Sequence, residues 1–374
     1  MVQAALFAGI FGTAAAIVYF QLRHWAFAAV AAFVPLCALA ATLASSSFSA
    51  AIMHTAGSAY LFGAGSLLLF DERIVRGICA DLTPRAAVLG MFRAEGAAVT
   101  LAAGAPVLAM LLGAALDPVW RREYASSALL FACMLAVVLV ASWFSLWFGS
   151  SETFIARANL ARERRERLFG RLAPVAETRW AFSVTGIATI FVVLAVFAIR
   201  DRHLIWNVWS VVCASASLAL AFVAFLAVAR DWRLAAAATL AFGWEAALLQ
   251  WSALPEMPDD GPVQFVLLLG VLAVAAAPFG VLAASIGRHL REGDGTASAC
   301  VRTLREMGGA VTALASMAVL PGLLMSIEGR LPAPVLVLAV ATPPAVLLVL
   351  PALAVAVYTL LPRYVSIEDA LNRR

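Results

Sequence analysis

Glu245, in the stretch Phe242-Gly243-Trp244-Glu245-Ala246, is the acid set well inside a strongly apolar segment of this sequence, and it is the residue that most invites chemistry. An ionised carboxylate at such a depth costs on the order of 2.5–3.5 kcal/mol even on the mild insertion scale. It could titrate as an ion-coupling site or hold a polar lipid headgroup. It could equally be a protonated carboxyl bonded to a neighbouring helix, or lie near the outer interface beside Gln250 and Trp251.

The remaining reactive residue types are scattered. His24, His54, His203 and His289 stand alone, so the paired intramembrane histidines of a b-type haem are missing. Cys37, Cys79, Cys133, Cys213 and Cys300 form no CxxC pair. All 26 basic residues are arginine, which removes the P-loop, Schiff-base and general-base lysines together. Glu256, Asp259 and Asp260 form a small acidic loop whose ligand density suits solvation better than a calcium site. No catalytic residue, cofactor site or metal site is expected, and the chain is read as a non-enzyme.

The elements that carry these residues are membrane helices. The 374 residues are 64% apolar and 13% charged, with a mean hydropathy of +0.95, far from the composition of a soluble domain. Each crossing needs roughly 20 apolar residues, so about eleven crossings use well over half the chain. Apolar segments fall near 4–20, 25–45, 53–70, 97–116, 127–149, 181–199, 206–229, 234–252, 263–286, 310–326 and 333–361. With alternating sides, 21 arginines collect on one face, and only Arg121, Arg122, Arg200, Arg202 and Arg330 on the other. The positive-inside rule then places the N-terminus outside and the C-terminus in the cytoplasm of a bacterial inner membrane. The first segment has no basic residues before it, so it reads as an uncleaved helix. Trp120, Trp206, Trp209, Trp244 and Trp251 fall near outer helix ends, as an aromatic belt does.

The chain also repeats. Arg23-His24-Trp25 and Arg230-Asp231-Trp232 each make a tight link into an Ala-rich helix, at an offset of 207. Arg93-Ala94-Glu95-Gly96-Ala97-Ala98-Val99-Thr100 parallels Arg305-Glu306-Met307-Gly308-Gly309-Ala310-Val311-Thr312 at an offset of 212. The extra residues fit the longer outer loop Ser252-Ala253-Leu254-Pro255-Glu256-Met257-Pro258-Asp259-Asp260-Gly261-Pro262. The expected fold is an all-α polytopic bundle of two parallel five-helix units, 1–149 and 206–374, the second ending in a cytoplasmic tail. A basic cytoplasmic linker and a connecting transmembrane helix, 150–205, join them.

This pattern resembles the membrane core of the resistance-nodulation-division (RND) superfamily, in particular its lipid-exporter branch related to the large mycobacterial membrane proteins. The residues that carry the resemblance are Leu82-Thr83-Pro84-Arg85-Ala86-Ala87-Val88-Leu89 leading into Arg93-Ala94-Glu95-Gly96, and the matching Leu304 to Met317. Thr83 can cap a short cytoplasmic helix whose first turn holds Pro84. The resemblance also marks departures. The chain begins at what would be the family's second helix, and only Arg200 to Asn207 stands where a large extracytoplasmic domain would be. The family's relay acid would fall in Phe62-Gly63-Ala64-Gly65-Ser66-Leu67 and Ala277-Pro278-Phe279-Gly280-Val281, and neither stretch contains an acid. A scaffold without the family's proton-driven engine is the expectation.

Gly63, Gly65, Pro278 and Gly280 are candidate helix-break or packing positions. Arg162, Arg164, Arg165 and Arg167 lie on a helix-prone basic segment, 151–171, which could dock on anionic lipid or a protein partner, or simply link the halves. The leading functional expectation is a transport-related, reduced exporter-like core that handles a lipid or other hydrophobic substrate. A partner protein would supply energy or periplasmic domains, and no nucleic acid is involved. The alternatives are a non-transporting structural or assembly subunit, or the permease of an ATP-driven exporter. The last rests on Phe70-Asp71-Glu72-Arg73 with Gly77 and Pro84, which faintly resemble a coupling-helix region.

Overall fold

A computed structural model describes residues 2–45, 50–143, 152–200, 208–253, 261–327 and 340–361. The outer acidic loop with Glu256, Asp259 and Asp260, the stretch 201–207 and the C-terminal tail lie outside the described residues. Every regular element described is helical. In chain order come α1 (Val2–Leu22), α2 (Trp25–Ser45), α3 (Ala50–Cys79), the short α4 (Pro84–Met91), α5 (Ala97–Leu116) and α6 (Arg121–Ala141). The linker forms α7 (Glu152–Gly170), and α8 (Thr178–Arg200) follows it. Next come α9 (Val208–Ala229), α10 (Trp232–Ala253), α11 (Gly261–Arg291), α12 (Thr296–Ile327) and α13 (Leu350–Leu360). Among the described residues, Pro84–Leu116, Arg121–Ala141, Leu269–Arg291 and Val340–Leu360 are long and apolar enough to cross a membrane by length and composition. The molecule is a multi-pass membrane protein built as a polytopic helical bundle.

The helices fall where the apolar segments lie, but α6 starts early, at Arg121, and three others run past the apolar limit. α3 continues through Asp71, Glu72 and Arg73 to Cys79, α11 continues to Arg291, and α12 starts at Thr296 rather than near residue 310. A hydropathy window stops at the first charges. Here the charges are neutralised by neighbouring elements, so the backbone ladder continues past the apolar stretch.

Thr83 caps α4 in extended conformation (ψ 148°), its hydroxyl accepting from the Ala86 N–H at 3.3 Å, and Pro84 occupies the first turn. A π-helical turn, Phe92–Gly96, then joins α4 to α5. The tight links share one geometry. Arg23 (φ 57°) and Arg230 (φ 58°) each close the preceding helix in the left-handed region, a rare conformation for residues other than glycine. In each link the next side chain, His24 Nδ1 or Asp231 Oδ1, accepts the N–H two residues on, at 3.2 and 3.0 Å. The turns after α3 and α11 match in the same way: Asp81 (φ 62°) and Gly293 (φ 99°) have left-handed backbones. The Leu82 and Asp294 N–H groups reach back to the carbonyls of Gly77 and His289.

Among the four candidate spans that of α11 is the most enclosed, and α11 packs on α3, α5, α9, α10 and α12. α3 packs on α11, α6, α2 and α12, so α3 and α11 form the centre of the bundle. Aromatic rings cluster around Phe279 of α11, which meets Phe242 of α10 at 5.7 Å and Phe225 of α9 at 6.5 Å between centroids. α8 lies at the periphery and exposes Ile187, Ile190, Phe191 and Leu194, a lipid-facing surface.

Candidate functional site

The central pair, α3 and α11, holds the four glycine and proline candidates. α3 runs unbroken through Gly63 and Gly65, and α11 runs unbroken through Pro278 and Gly280. A Cβ at Gly280 would sit 2.7 Å from the Ala98 carbonyl oxygen and 2.6 Å from Ala102 Cβ, so the backbones of α11 and α5 are in direct contact. A Cβ at Gly65 would meet the Leu314 side chain of α12, and one at Gly63 the side chains of Met134 and Pro35. These glycines serve close packing. Pro278 withholds one N–H from the ladder without interrupting the helix.

Glu245 is fully buried on α10, which packs against α8, α9, α11 and α13. The hydroxyl of Thr342, in the helical stretch 340–344 that leads through a π-helical turn into α13, donates to Glu245 Oε1. Oε2 has no hydrogen-bond partner among the described residues, and no ion pair there reaches the carboxyl. The adjacent Trp244 Nε1–H donates to the Ala188 carbonyl at 3.0 Å and ties α10 to α8. The site is a single carboxyl with one fixed oxygen and one free oxygen at the junction of α10 and the last helix.

The third site was not read in the sequence as a unit. At the arginine-rich ends of the helices, α7 lies against α12, α3 and α1 and is clamped by ion pairs. Arg165 reaches the buried Glu72 of α3 at 3.2 Å and donates to the Gln21 carbonyl, while Gln21 Nε2–H donates to Glu72 Oε2 at 3.1 Å. Arg76 pairs with Glu166 at 3.4 Å and donates to the Glu306 carbonyl. Two glycines of α12 receive the linker: Gly308 lies under the Phe169 ring, and Gly309 beside Arg165 Cδ and Gln21 Nε2. Arg162 also faces inward, pairing with Glu166 at 3.5 Å. Thus Arg162 and Arg165 serve internal ion pairs, whereas Arg164 and Arg167 are exposed on the opposite side of α7.

Asp71 and Glu72 are buried inside continuous α3. The stretch resembling a coupling helix is therefore enclosed by the linker rather than presented at the surface. The signals that could have found this cluster are the helical i,i+4 spacings Glu72–Arg76 and Arg162–Glu166.

A second set of pairs links α11 to α12. Arg288 meets Glu306 at 3.3 Å, and the buried His289 faces Glu292 at 3.0 Å and Glu306 at 3.6 Å. The His289 hydrogen bond holds the Glu292 carboxyl below the usual range. Arg73 of α3 meets Glu95, on the turn before α5, at 3.5 Å. Cys37, Cys79, Cys133 and Cys300 are free thiols.

No family model matches the sequence, and no curated protein matches it. Among solved structures, SecDF from Thermus thermophilus, described as a translocon-associated membrane protein, superimposes with a TM-score of 0.60 at 14% identity. The alignment covers 100% of this chain and 62% of that chain, so this chain spans under two thirds of its length. The likeness extends over the whole of this chain. At this identity the likeness is one of fold.

Proposed function

We propose that this protein is a transport-related component of a bacterial inner membrane: a reduced RND-type core that handles a lipid or other hydrophobic molecule, with partner subunits supplying energy or a periplasmic path. The observation that carries this reading is the SecDF-like fold over the whole chain. The two parallel five-helix units belong to the same reading. Their support is the left-handed pairs Arg23/Arg230 and Asp81/Gly293, which fall at the offsets of 207 and 212 present in the sequence. The arginine distribution supports an external N-terminus and a cytoplasmic C-terminus. Membership of the lipid-exporter branch rests on the sequence resemblance.

The route of coupling is peripheral in this proposal. Glycine and proline occupy the centre where the family's relay acid would stand, and Glu245 with its free oxygen is the buried carboxyl available to titrate. One observation favours the alternative, a non-transporting assembly subunit: the centre is closed, with the α11 and α5 backbones in contact at Gly280.

The test is native mass spectrometry of the protein extracted gently from its own membrane, followed by reconstitution into vesicles with any co-purifying chain and a fluorescent lipid. Transport predicts lipid movement whose pH dependence disappears in Glu245→Gln. A reconstituted complex that moves no lipid at any pH, yet loses its partner subunits when this chain is deleted, would establish the assembly reading instead.

A further inference from the structure

The outward face of α7 has no counterpart in the clamp. Its inward face, with Ala158, Arg162, Arg165 and Phe169, is occupied by α1, α3 and α12. Half a turn away, at spacings of three and four residues, Arg157, Leu160, Arg164, Arg167, Leu168 and Arg171 form one exposed stripe. Arg157, Arg164, Arg167 and Arg171 make no ion pair among the described residues. Of the acids along the helix, Glu166 is engaged by Arg76 and Arg162, and Glu163 borders the stripe without pairing across it. Arg164, Arg167, Leu168 and Arg171 line an open hollow of about 510 Å³.

We propose that this stripe binds the phosphate headgroups of anionic phospholipids in the cytoplasmic leaflet. Two features select a lipid surface over an acidic protein. First, Leu160 and Leu168, 58% and 57% exposed, alternate with the arginines, which suits a helix lying at the boundary of headgroup and acyl chain. Second, the helix ends at the lipid boundary: α8 begins at Thr178, and its first turns expose Trp180, Phe182 and then a run of lipid-facing aliphatic residues. An exposed tryptophan at that level is an interfacial anchor. The clamp to Glu72 and Gln21 fixes the phase of α7, so the arginines are held outward before any lipid arrives. This inference rests on the packing of α7 and stands independently of what the core transports.

The experiment uses the full chain and the triple variant R164Q/R167Q/R171Q in neutral detergent. Phosphatidylglycerol and phosphatidylcholine are titrated under native mass spectrometry, with inorganic phosphate as competitor. The parent retains phosphatidylglycerol in preference to phosphatidylcholine, and the variant loses at least tenfold of that binding, since each basic residue near an anionic surface contributes about fivefold. Unchanged thermal unfolding in neutral detergent shows that the variant is folded, as expected for side chains outside the clamp. Equal phosphatidylglycerol retention by the variant, or no preference over phosphatidylcholine, overturns the proposal. Displacement of the lipid by inorganic phosphate at matched concentration also overturns it, and identifies a small-anion site instead.

Discussion

Replacing Gly280 by alanine places a methyl group 2.7 Å from the Ala98 carbonyl oxygen and 2.6 Å from Ala102 Cβ. Ordinary contacts of these kinds need roughly 3.4 Å or more, and both obstacles belong to the stiff wall of α5, one of them being backbone. The helices must separate by several tenths of an ångström along a buried interface, and overpacking of this kind costs about 1–3 kcal/mol. Gly65 provides the matched comparison. Its added Cβ would fall 1.8 Å from Leu314 Cδ1, a nominally worse overlap, yet the obstacle is the tip of a flexible side chain. Rotation of Leu314 lowers that cost to about 1 kcal/mol or less. Gly104, with nothing within 4 Å of its added Cβ, sets the baseline for the helix-propensity gain of alanine. Thermal unfolding in one detergent gives the order Gly104→Ala most stable, then Gly65→Ala, then Gly280→Ala. Equal stability of Gly280→Ala and Gly104→Ala would refute the contact between α11 and α5 on which the closed centre depends.

Three further outcomes are expected. Arg165→Gln leaves the buried Glu72 with Gln21 and the more distant Arg76, 3.9 Å away, and destabilises by about 2 kcal/mol; a cycle with Glu72→Gln shows coupling above about 0.5 kcal/mol, and strict additivity would mean that α7 is not clamped. Thr342→Val strips the donor from Glu245 Oε1 and costs about 1–3 kcal/mol, an effect that should vanish in a Glu245→Leu background. Because the Glu292 pKa is lowered in the folded protein, its contact with His289 stabilises above the ordinary carboxylate range and is lost as pH falls through it. Parent and Glu292→Gln should therefore differ in unfolding temperature at neutral pH and converge below about pH 4, and a difference that grows on acidification would contradict this sign.

The sequence makes the bundle legible because hydropathy is a large, local signal: the helix starts at Trp25 and Trp232 and the cap at Thr83–Pro84 need only neighbouring residues. The overhanging ends of α3, α11 and α12 were not legible, because what keeps them helical is distant in the chain. Arg165 and Glu72 lie 93 positions apart, and Arg76 reaches Glu306 across 230. The same limit applies at the candidate sites. A lone Glu245 stands out by residue type alone, whereas Thr342, 97 residues away, is one hydroxyl among many. For α7, helical phase separates Arg162 and Arg165 from Arg164 and Arg167, but Gly308 and Gly309 of another helix decide which side turns inward.

The absence of an acid around Gly65 and Gly280 and the tight centre are one structural fact. At Gly280 the space a side chain would occupy is filled by the α5 backbone, so an aspartate installed there would have no room for its carboxyl and no water to share its proton. At Gly65 the obstruction is only the Leu314 tip, and the two central helices are therefore not equivalent. Gly65→Asp should fold with a modest penalty if Leu314 is also reduced to alanine, whereas Gly280→Asp should fail to accumulate even when Ala102 is reduced to glycine, because the Ala98 carbonyl remains. Comparable expression of both variants would show that the α11–α5 contact yields readily, and the argument that coupling has moved away from the central pair would lose its physical basis.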